Sequence, residues 1–304
     1  MKIALRVDVD TDRGTHEGVP KLMRLLDKAG VRASFYFSLG PDTTGRAILR
    51  VFKRRGFLKK MRRTSALKIY GLRTVLSGTL LPAPLIGKKN RAVIRSVEAA
   101  GHEIGVHAWD HIAWHDGVEN WTDEKIRRWY DAAFTEFAEA AGRPPRAFCA
   151  PAWKTCDRAL EILEGYHLDY ATDCRGVAPF FPVVNGKTLS TLQLPATTPT
   201  LDEIIGREDI DQADLNAVLL AALVPDGFNC HTLHTELEGQ HYPELFLDLL
   251  ARMKSAGYGF VTLADWAAEL KKNPAAIPAK PLERREVAGR SGWLSVEGGA
   301  VLRG

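Results

Sequence analysis

Short apolar segments alternate with longer segments of helical periodicity along most of the chain, and this alternation restricts the possible fold most strongly. Polar and apolar residues alternate over residues 3–9, as in a β-strand, and apolar residues recur at helical spacing over 19–29 before Gly30. The same patterns predict further strands over 31–37, 104–107, 147–150, 170–173, 192–195, 228–233 and 259–261, and helices over 123–141, 157–164, 215–223, 243–256 and 263–270. We therefore expect an α/β fold whose parallel sheet is closed or nearly closed into a barrel, with function at the carboxyl ends of the strands.

The composition is that of a globular protein, with 45% hydrophobic and 26% charged residues among 304. Residues 1–272 are predicted to form a single domain, and residues 273–304, rich in proline, glycine and charge, a poorly ordered tail. No apolar run is long enough for a membrane-spanning helix, and charge interrupts the first residues too early for a signal peptide. The four cysteines form no CxxC pair and are expected to be reduced, so a cytosolic chain is the default expectation.

A basic insertion over residues 45–91 departs from the alternation. It carries fourteen lysines and arginines, and no acidic residue occurs between Asp42 and Glu98. Apolar residues lie among the charges, and residues 80–86 form a neutral apolar tip. This pattern favours contact with an anionic membrane or a polyprenyl phosphate over a solvated cover or a nucleic-acid patch. The residues expected to make that contact are Arg54, Arg55, Lys59, Lys60, Arg62 and Arg63.

Two pairs of polar residues follow predicted strands and could share a metal ion. Asp8 and Asp10 lie two residues apart, so both project from one face at the end of the first strand. His107 and His111 follow a later strand at a spacing of four, which allows two imidazoles to bind one ion. A carboxylate and two imidazoles leave coordination positions free for water and substrate. The combination therefore indicates a catalytic rather than a structural metal.

A third polar segment ends the strand predicted over 228–233. His231 and His234 are three residues apart and would point to opposite faces of an extended segment. We expect His234, which is nearer the mouth of the barrel, to serve the site, and His231 to be a buried structural histidine.

The order of these residues resembles the polysaccharide deacetylases (carbohydrate esterase family 4) over residues 1–270. Within that family, six segments are most similar to the 4-deoxy-4-formamido-L-arabinose-phosphoundecaprenol deformylases, namely residues 6–11, 35–42, 102–111, 173–176, 202–207 and 234–239. The resemblance implies a distorted, incompletely closed (β/α) barrel that hydrolyses a sugar amide. It also implies a role in lipid A modification and polymyxin resistance.

The resemblance further implies a role for each residue of the site. Asp10, His107 and His111 would hold a divalent metal ion (Zn, Co, Mn or Fe), Asp8 would act as the base, and His234 would act as the acid. Supporting or substrate-binding roles are expected for Asp173, Arg175 and Glu236. One motif departs from the family. Its Arg-x-Pro motif supplies an arginine that orients the base, but this chain has Cys149-Ala150-Pro151 there, which leaves the partner of Asp8 unassigned.

Two other functions are compatible with the same residues. The nearer alternative is an N-deacetylase acting on another lipid-linked or cell-wall amino sugar. The more distant alternative is a non-catalytic module that binds lipid-linked glycans, which the presence of every expected ligand disfavours. A polyprenyl-phosphate substrate implies a peripheral protein at the cytoplasmic face of the bacterial inner membrane.

Overall fold

The computed structural model describes residues 1–47, 66–290 and 292–303, with residues 66–70 described for their backbone only. Thirteen strands occur in the described part: β1 Lys2–Val9, β2 Ser34–Ser38, β3 Glu103–Ala108, β4 Ala147–Phe148, β5 Tyr170–Ala171, β6 Phe181–Val184, β7 Lys187–Thr188, β8 Leu192–Gln193, β9 Cys230–His234, β10 Gly259–Val261, β11 Ala279–Lys280, β12 Leu282–Glu286 and β13 Trp293–Glu297. The α-helices there span Val19–Ala29, Ala66–Leu76, Ile86–Ala99, His111–Gly117, Asp123–Ala141, Asp157–Glu164, Leu201–Ile204, Leu215–Ala221, Pro243–Ser255 and Leu263–Leu270.

Eight parallel strands form one curled sheet centred on β1. Strands β2 and β9 pair with opposite sides of β1, and β10 pairs with its first residues. Beyond β2 the order continues through β3, β4, β5 and β8. The backbone N–H of Thr197, just after β8, donates to the carbonyl of Cys230 in β9 at 2.9 Å. The sheet thus curls back towards its first strands, which confirms the expected distorted, incompletely closed barrel.

Alternation along β1 decides which side chains line the barrel. Leu5, Val7 and Val9 pack outwards in a core shared with Leu22 and Leu26 of the first helix. The intervening positions face the inside of the barrel, because successive side chains of a strand point to opposite faces. Arg6 and Asp8 occupy those inner positions and are buried. An apolar outer face therefore fixes polar groups in the barrel interior.

The tail does not match its sequence-based prediction. Strands β12 and β13 pair antiparallel, and Leu294 and Val296 are buried in a small core with Trp153. Strand β13 also exchanges backbone hydrogen bonds with Arg175, from Arg175 N–H to Ser295 O at 2.9 Å and from Glu297 N–H to Arg175 O at 2.8 Å. The expectation of a poorly ordered tail is therefore corrected. The alternating apolar residues Leu294 and Val296 pack the tail against the domain although the segment is rich in proline and glycine.

The basic insertion is described only in part. The residues expected to contact a membrane, Arg54, Arg55, Lys59, Lys60, Arg62 and Arg63, lie outside the described residues. From residue 71 onwards the described part of the insertion exposes several large apolar side chains, namely Leu72, Leu80, Leu81 and Leu85. No helix among the described residues is long and apolar enough to span a bilayer.

Candidate metal centre and active site

The buried carboxylate of Asp8 is held by an arginine of its own strand. Arg6 Nε donates to Asp8 Oδ1 and Arg6 Nη2 to Asp8 Oδ2, each at 2.8 Å. The remaining Arg6 Nη1 donates to the carbonyl of Thr172 at 2.8 Å. Burial alone would raise the pKa of Asp8, but the charges of Arg6 and His107 lower it by more, so the pKa lies below its ordinary value. Asp8 is therefore ionised at neutral pH.

Three potential metal ligands converge beside Asp8 at the carboxyl ends of β1 and β3. Asp10 Oδ1 lies 3.2 Å from His107 Nε2, and Asp10 Oδ2 lies 3.6 Å from His111 Nε2. One potential ligand atom from each of the three residues lies within 4.8 Å of the others. Burial lowers the pKa of His111 to about 4, so this imidazole is neutral at pH 7 and free to bind a cation.

The hydrogen bonds made by this group, and those it lacks among the described residues, fit a bound cation. His107 Nδ1 lies 2.8 Å from the carbonyl oxygen of Cys149, and a carbonyl only accepts, so Nδ1 carries the proton. With Nδ1 engaged there, Nε2 is the ring atom that faces Asp10 Oδ1, 3.2 Å away. Both atoms are buried, and neither has a hydrogen-bond partner among the described residues. An imidazole nitrogen and a carboxylate oxygen placed in this way fit a shared metal ion.

A second possible group shares His107 with the first. Asp8, His107 and Cys149 also place ligand atoms within 4.8 Å of one another. However, burial raises the pKa of the Cys149 thiol well above its ordinary value, and a neutral thiol is a poor metal ligand. Both oxygens of Asp8 are already occupied by Arg6. The group formed by Asp10, His107 and His111 is the better metal site.

His234 ends β9 beside this group, where it is the register partner of Asp8. Its Nδ1 lies 3.6 Å from Asp202 Oδ1, and its backbone N–H donates to Glu238 Oε2 at 2.9 Å. Burial lowers the pKa of His234, but Asp202, Asp10 and Asp8 outweigh burial and raise it above its ordinary value. An imidazole with a raised pKa can hold a proton for donation.

The other histidine of β9 is placed differently. His231 is fully buried, and its Nδ1 lies 2.8 Å from Thr198 Oγ1. Burial lowers the pKa of His231 to about 4, so it is neutral at pH 7. It faces away from the metal ligands and fits a structural role.

Asp173 supports the segment that follows β4. Its Oδ1 accepts from the backbone N–H of Ala150, and its Oδ2 from Gln193 Nε2, both at 2.9 Å. The Ala150 contact lies next to Cys149, whose carbonyl orients His107. Burial raises the pKa of Asp173 to about 6. Asp173 thus contacts the backbone beside Cys149 rather than the proposed metal ligands.

Arg175 and Glu236 are both buried and hydrogen-bonded to other residues of the chain. Arg175 Nη1 donates to Glu203 Oε1 at 2.8 Å, and its Nη2 to the carbonyl of Thr198 at 2.7 Å. Arg175 is only 1% exposed. Glu236 accepts from Thr11 Oγ1 at 2.6 Å, and burial raises the pKa of Glu236 to about 7.

Sequence reasoning selected Arg175 but missed Arg6 and Arg290, the other two arginines around Trp153. The guanidinium carbons of Arg6, Arg175 and Arg290 lie 5.0, 5.1 and 4.6 Å from the centre of the Trp153 ring. Trp153 has a left-handed backbone, with φ at 52°, which is uncommon for a bulky residue. For Arg6 a signal exists in the sequence: an arginine on the same strand face as Asp8 and Asp10 is buried only if it is paired. For Arg290 no local signal exists.

Comparison with known proteins places the chain in a family. The polysaccharide deacetylase family model matches residues 6–171. A Shewanella sediminis (strain HAW-EB3) protein named "Probable 4-deoxy-4-formamido-L-arabinose-phosphoundecaprenol deformylase ArnD" is 37% identical over 97% of this chain and 94% of its own. A protein of the same name from Wigglesworthia glossinidia brevipalpis is 32% identical over 93% of this chain and 98% of its own.

Solved structures agree on the fold. The crystal structure of a protein named as a polysaccharide deacetylase from Mycobacterium smegmatis superposes with a TM-score of 0.60 at 15% identity. The match covers 94% of this chain and 95% of that one. With the site geometry described above and the family model spanning more than half of the sequence, the chain belongs to the polysaccharide deacetylase family.

Proposed function

We propose that the protein hydrolyses the formamide of 4-deoxy-4-formamido-L-arabinosyl-phosphoundecaprenol, giving formate and 4-amino-4-deoxy-L-arabinosyl-phosphoundecaprenol for lipid A modification and polymyxin resistance. The substrate class is that named for the Shewanella and Wigglesworthia relatives. The observation that carries the proposal is the placement of Asp8 and His234, register partners on neighbouring strands, beside the Asp10, His107 and His111 group.

Asp10, His107 and His111 would hold the divalent ion. When bound, such an ion supplies Lewis acidity, which polarises the amide carbonyl and makes water easier to deprotonate. Asp8, ionised and fixed by Arg6, accepts the proton of the attacking water.

His234 completes the proposed reaction as the proton donor. Asp8 and His234 are register partners on neighbouring parallel strands, so both side chains reach into the barrel from adjacent positions. His234 holds a proton because Asp202 and the site carboxylates raise its pKa, and it donates that proton to the departing nitrogen. Base and acid thus lie on adjacent strands and serve the same site.

The decisive experiment measures formate release from the formamido lipid by the purified, metal-loaded protein. Asp8→Asn should keep the metal content of the wild type, measured by elemental analysis, and lose turnover. Asp209→Asn, an exposed carboxylate paired with Arg207, is the matched control and should retain activity. Acetate release from the acetamido lipid with no formate release from the formamido lipid would replace the proposal with N-deacetylation.

We further propose that the protein works as a peripheral protein at the cytoplasmic face of the inner membrane, bound to anionic lipid. Leu72, Leu80, Leu81 and Leu85 are 65%, 80%, 40% and 43% exposed on one segment of the basic insertion. Exposed leucines beside positive charge suit an anionic bilayer surface.

This membrane contact can be measured by sedimentation with anionic liposomes. A Leu80→Asp and Leu81→Asp double variant should weaken sedimentation, and the control Val224→Asp, at a 39% exposed valine outside the insertion, should not. Equal sedimentation of both variants and the wild type would remove the insertion from the proposed contact.

A further inference from the structure

The C-terminal segment reaches the active site through one side chain. Arg290 lies in the connection between β12 and β13, and its side chain is only 16% exposed. Its Nη1 lies 3.1 Å from Asp202 Oδ2, and its Nε donates to Glu203 Oε1 at 2.7 Å. The opposite carboxylate oxygen of Asp202, Oδ1, lies 3.6 Å from His234 Nδ1. Asp202 therefore stands between Arg290 and the proposed acid.

We propose that Arg290 is a positioning residue of the active site, which holds the Asp202 carboxylate in the orientation that faces His234. The proposal rests on the proposed amide hydrolysis, in which His234 donates a proton. Arg290 Nη2 also donates to Thr200 Oγ1 at 3.0 Å, and Thr200 Oγ1 in turn donates to Asp202 Oδ1 at 2.6 Å. The carboxylate is thereby fixed at both oxygens.

The backbone next to Arg290 lies in close contact with the backbone of Glu203. Gly289 has φ at +84°, and a Cβ there would lie 2.5 Å from the carbonyl oxygen of Glu203. Glycine at this position lets the connection lie against the helix Leu201–Ile204, which carries Asp202. On its other side the Arg290 guanidinium lies over the Trp153 ring at 4.6 Å. Packing and hydrogen bonds together leave Arg290 one orientation, with its charge against Asp202.

The charges around Asp202 support its proposed place between Arg290 and His234. Burial raises the pKa of Asp202, but Arg290 and His234 lower it more, to about 2. Asp202 thus keeps its negative charge, which a proton-donating imidazole needs as a partner. Arg290 contacts both Glu203 and Asp202, but Glu203 also pairs with the buried Arg175. Loss of Arg290 would therefore affect Asp202 more than Glu203.

Steady-state kinetics of Arg290→Ala and Arg290→Lys test the proposal, with Arg285→Ala as the control from the same hairpin. Arg285 pairs with Glu283 on the surface and does not reach the site. We expect Arg290→Ala to lower kcat about 10- to 100-fold with KM within about twofold. Arg290→Lys should recover part of the loss, and added guanidinium should restore turnover to Arg290→Ala. Raised KM with unchanged kcat would make Arg290 a substrate-binding residue and overturn the proposal.

Two further measurements separate positioning from folding and from the proposed function. If Arg290 acts through Asp202, Asp202→Asn and the double variant with Arg290→Ala should have equal kcat, whereas multiplied losses would overturn the proposal. Nitrogen-15 shifts of the His234 imidazole report which ring nitrogen carries the proton, without turnover. They should change in Arg290→Ala and not in Arg285→Ala, and unchanged shifts would contradict the proposal. A wild type that releases no formate would refute the proposed function while leaving this spectroscopic result standing.

Discussion

Replacing Arg6 by alanine would leave a buried carboxylate without its cation. Arg6 and Asp8 have side chains 0% and 3% exposed and share two hydrogen bonds of 2.8 Å. Among the described residues, the other hydrogen-bond donor to the Asp8 carboxylate is the Cys149 thiol, at 3.6 Å. A neutral thiol cannot replace a guanidinium, so Asp8 would move to its protonated form and lose its capacity to accept a proton.

The size of the effect follows from the burial of the pair. Removing one partner of a buried ion pair costs about 3 to 5 kcal/mol, because the other charge is left uncompensated. A domain with a net stability of about 5 to 15 kcal/mol survives this loss, so Arg6→Ala should fold with a lower melting temperature. Loss of a positioned general base costs about 10²- to 10⁴-fold in rate. We expect kcat to fall by at least about 100-fold.

Formate release, thermal unfolding and metal content should be measured on the same preparations of Arg6→Ala and Arg6→Lys. The lysine variant keeps the positive charge but loses the bidentate hydrogen bonds to Asp8, so its kcat should lie between those of the alanine variant and the wild type. Adding Cys149→Arg to Arg6→Ala returns an arginine to the place where the family usually has one, and should recover part of kcat. Turnover of Arg6→Ala within about twofold of wild type, with metal bound, would refute this account of Asp8.

Three other substitutions test separate parts of the structure. His111→Ala should abolish stoichiometric metal binding by elemental analysis, and wild-type metal content would remove His111 from the ligand set. Burial raises the folded pKa of Glu238 from 4.5 to about 7, so the wild type loses stability as pH rises through that range. Glu238→Gln should escape this loss: at pH 8 its free energy of unfolding should exceed that of the wild type by up to about 3 kcal/mol, and its melting temperature should be higher. At pH 4 thermal unfolding should show no such gain. Gly289→Ala should lower kcat and melting temperature together, because a Cβ would clash with the Glu203 carbonyl; a fully active, equally stable variant would contradict the described connection.

The regular part of the fold could be predicted because its signals are local. The helices Asp123–Ala141 and Leu263–Leu270 have the predicted bounds, each begun by a threonine whose side chain accepts from the first turn, Thr122 and Thr262. Asp8, Asp10, His107 and His111 could be selected because each follows a recognisable strand, and parallel strands bring their carboxyl ends together. Strand patterns thus fixed both the barrel and one edge of the candidate site.

The rest depends on contacts between distant segments. Arg290 meets Asp202 across 88 residues, and nothing in either local sequence indicates the pairing. The docking of β13 depends on backbone hydrogen bonds with Arg175, which a proline- and glycine-rich composition conceals. The family motif predicts an arginine for Asp8 at position 149, whereas in this chain the arginine lies at position 6, two residues before Asp8. Long-range packing, which periodicity does not encode, decided the first two features, whereas the Arg6–Asp8 pair is local and shows only as an arginine on the inner face of β1.

The central claim is that one divalent ion binds to Asp10, His107 and His111 while Asp8 remains with Arg6. Crystals loaded with cobalt would locate that ion by anomalous scattering. We predict one peak within about 2.0 to 2.2 Å of a ligand atom from each of Asp10, His107 and His111, with Asp8 uncoordinated. A peak bound by Asp8, His107 and Cys149, the alternative group that shares His107, would contradict the assignment of base and ligands.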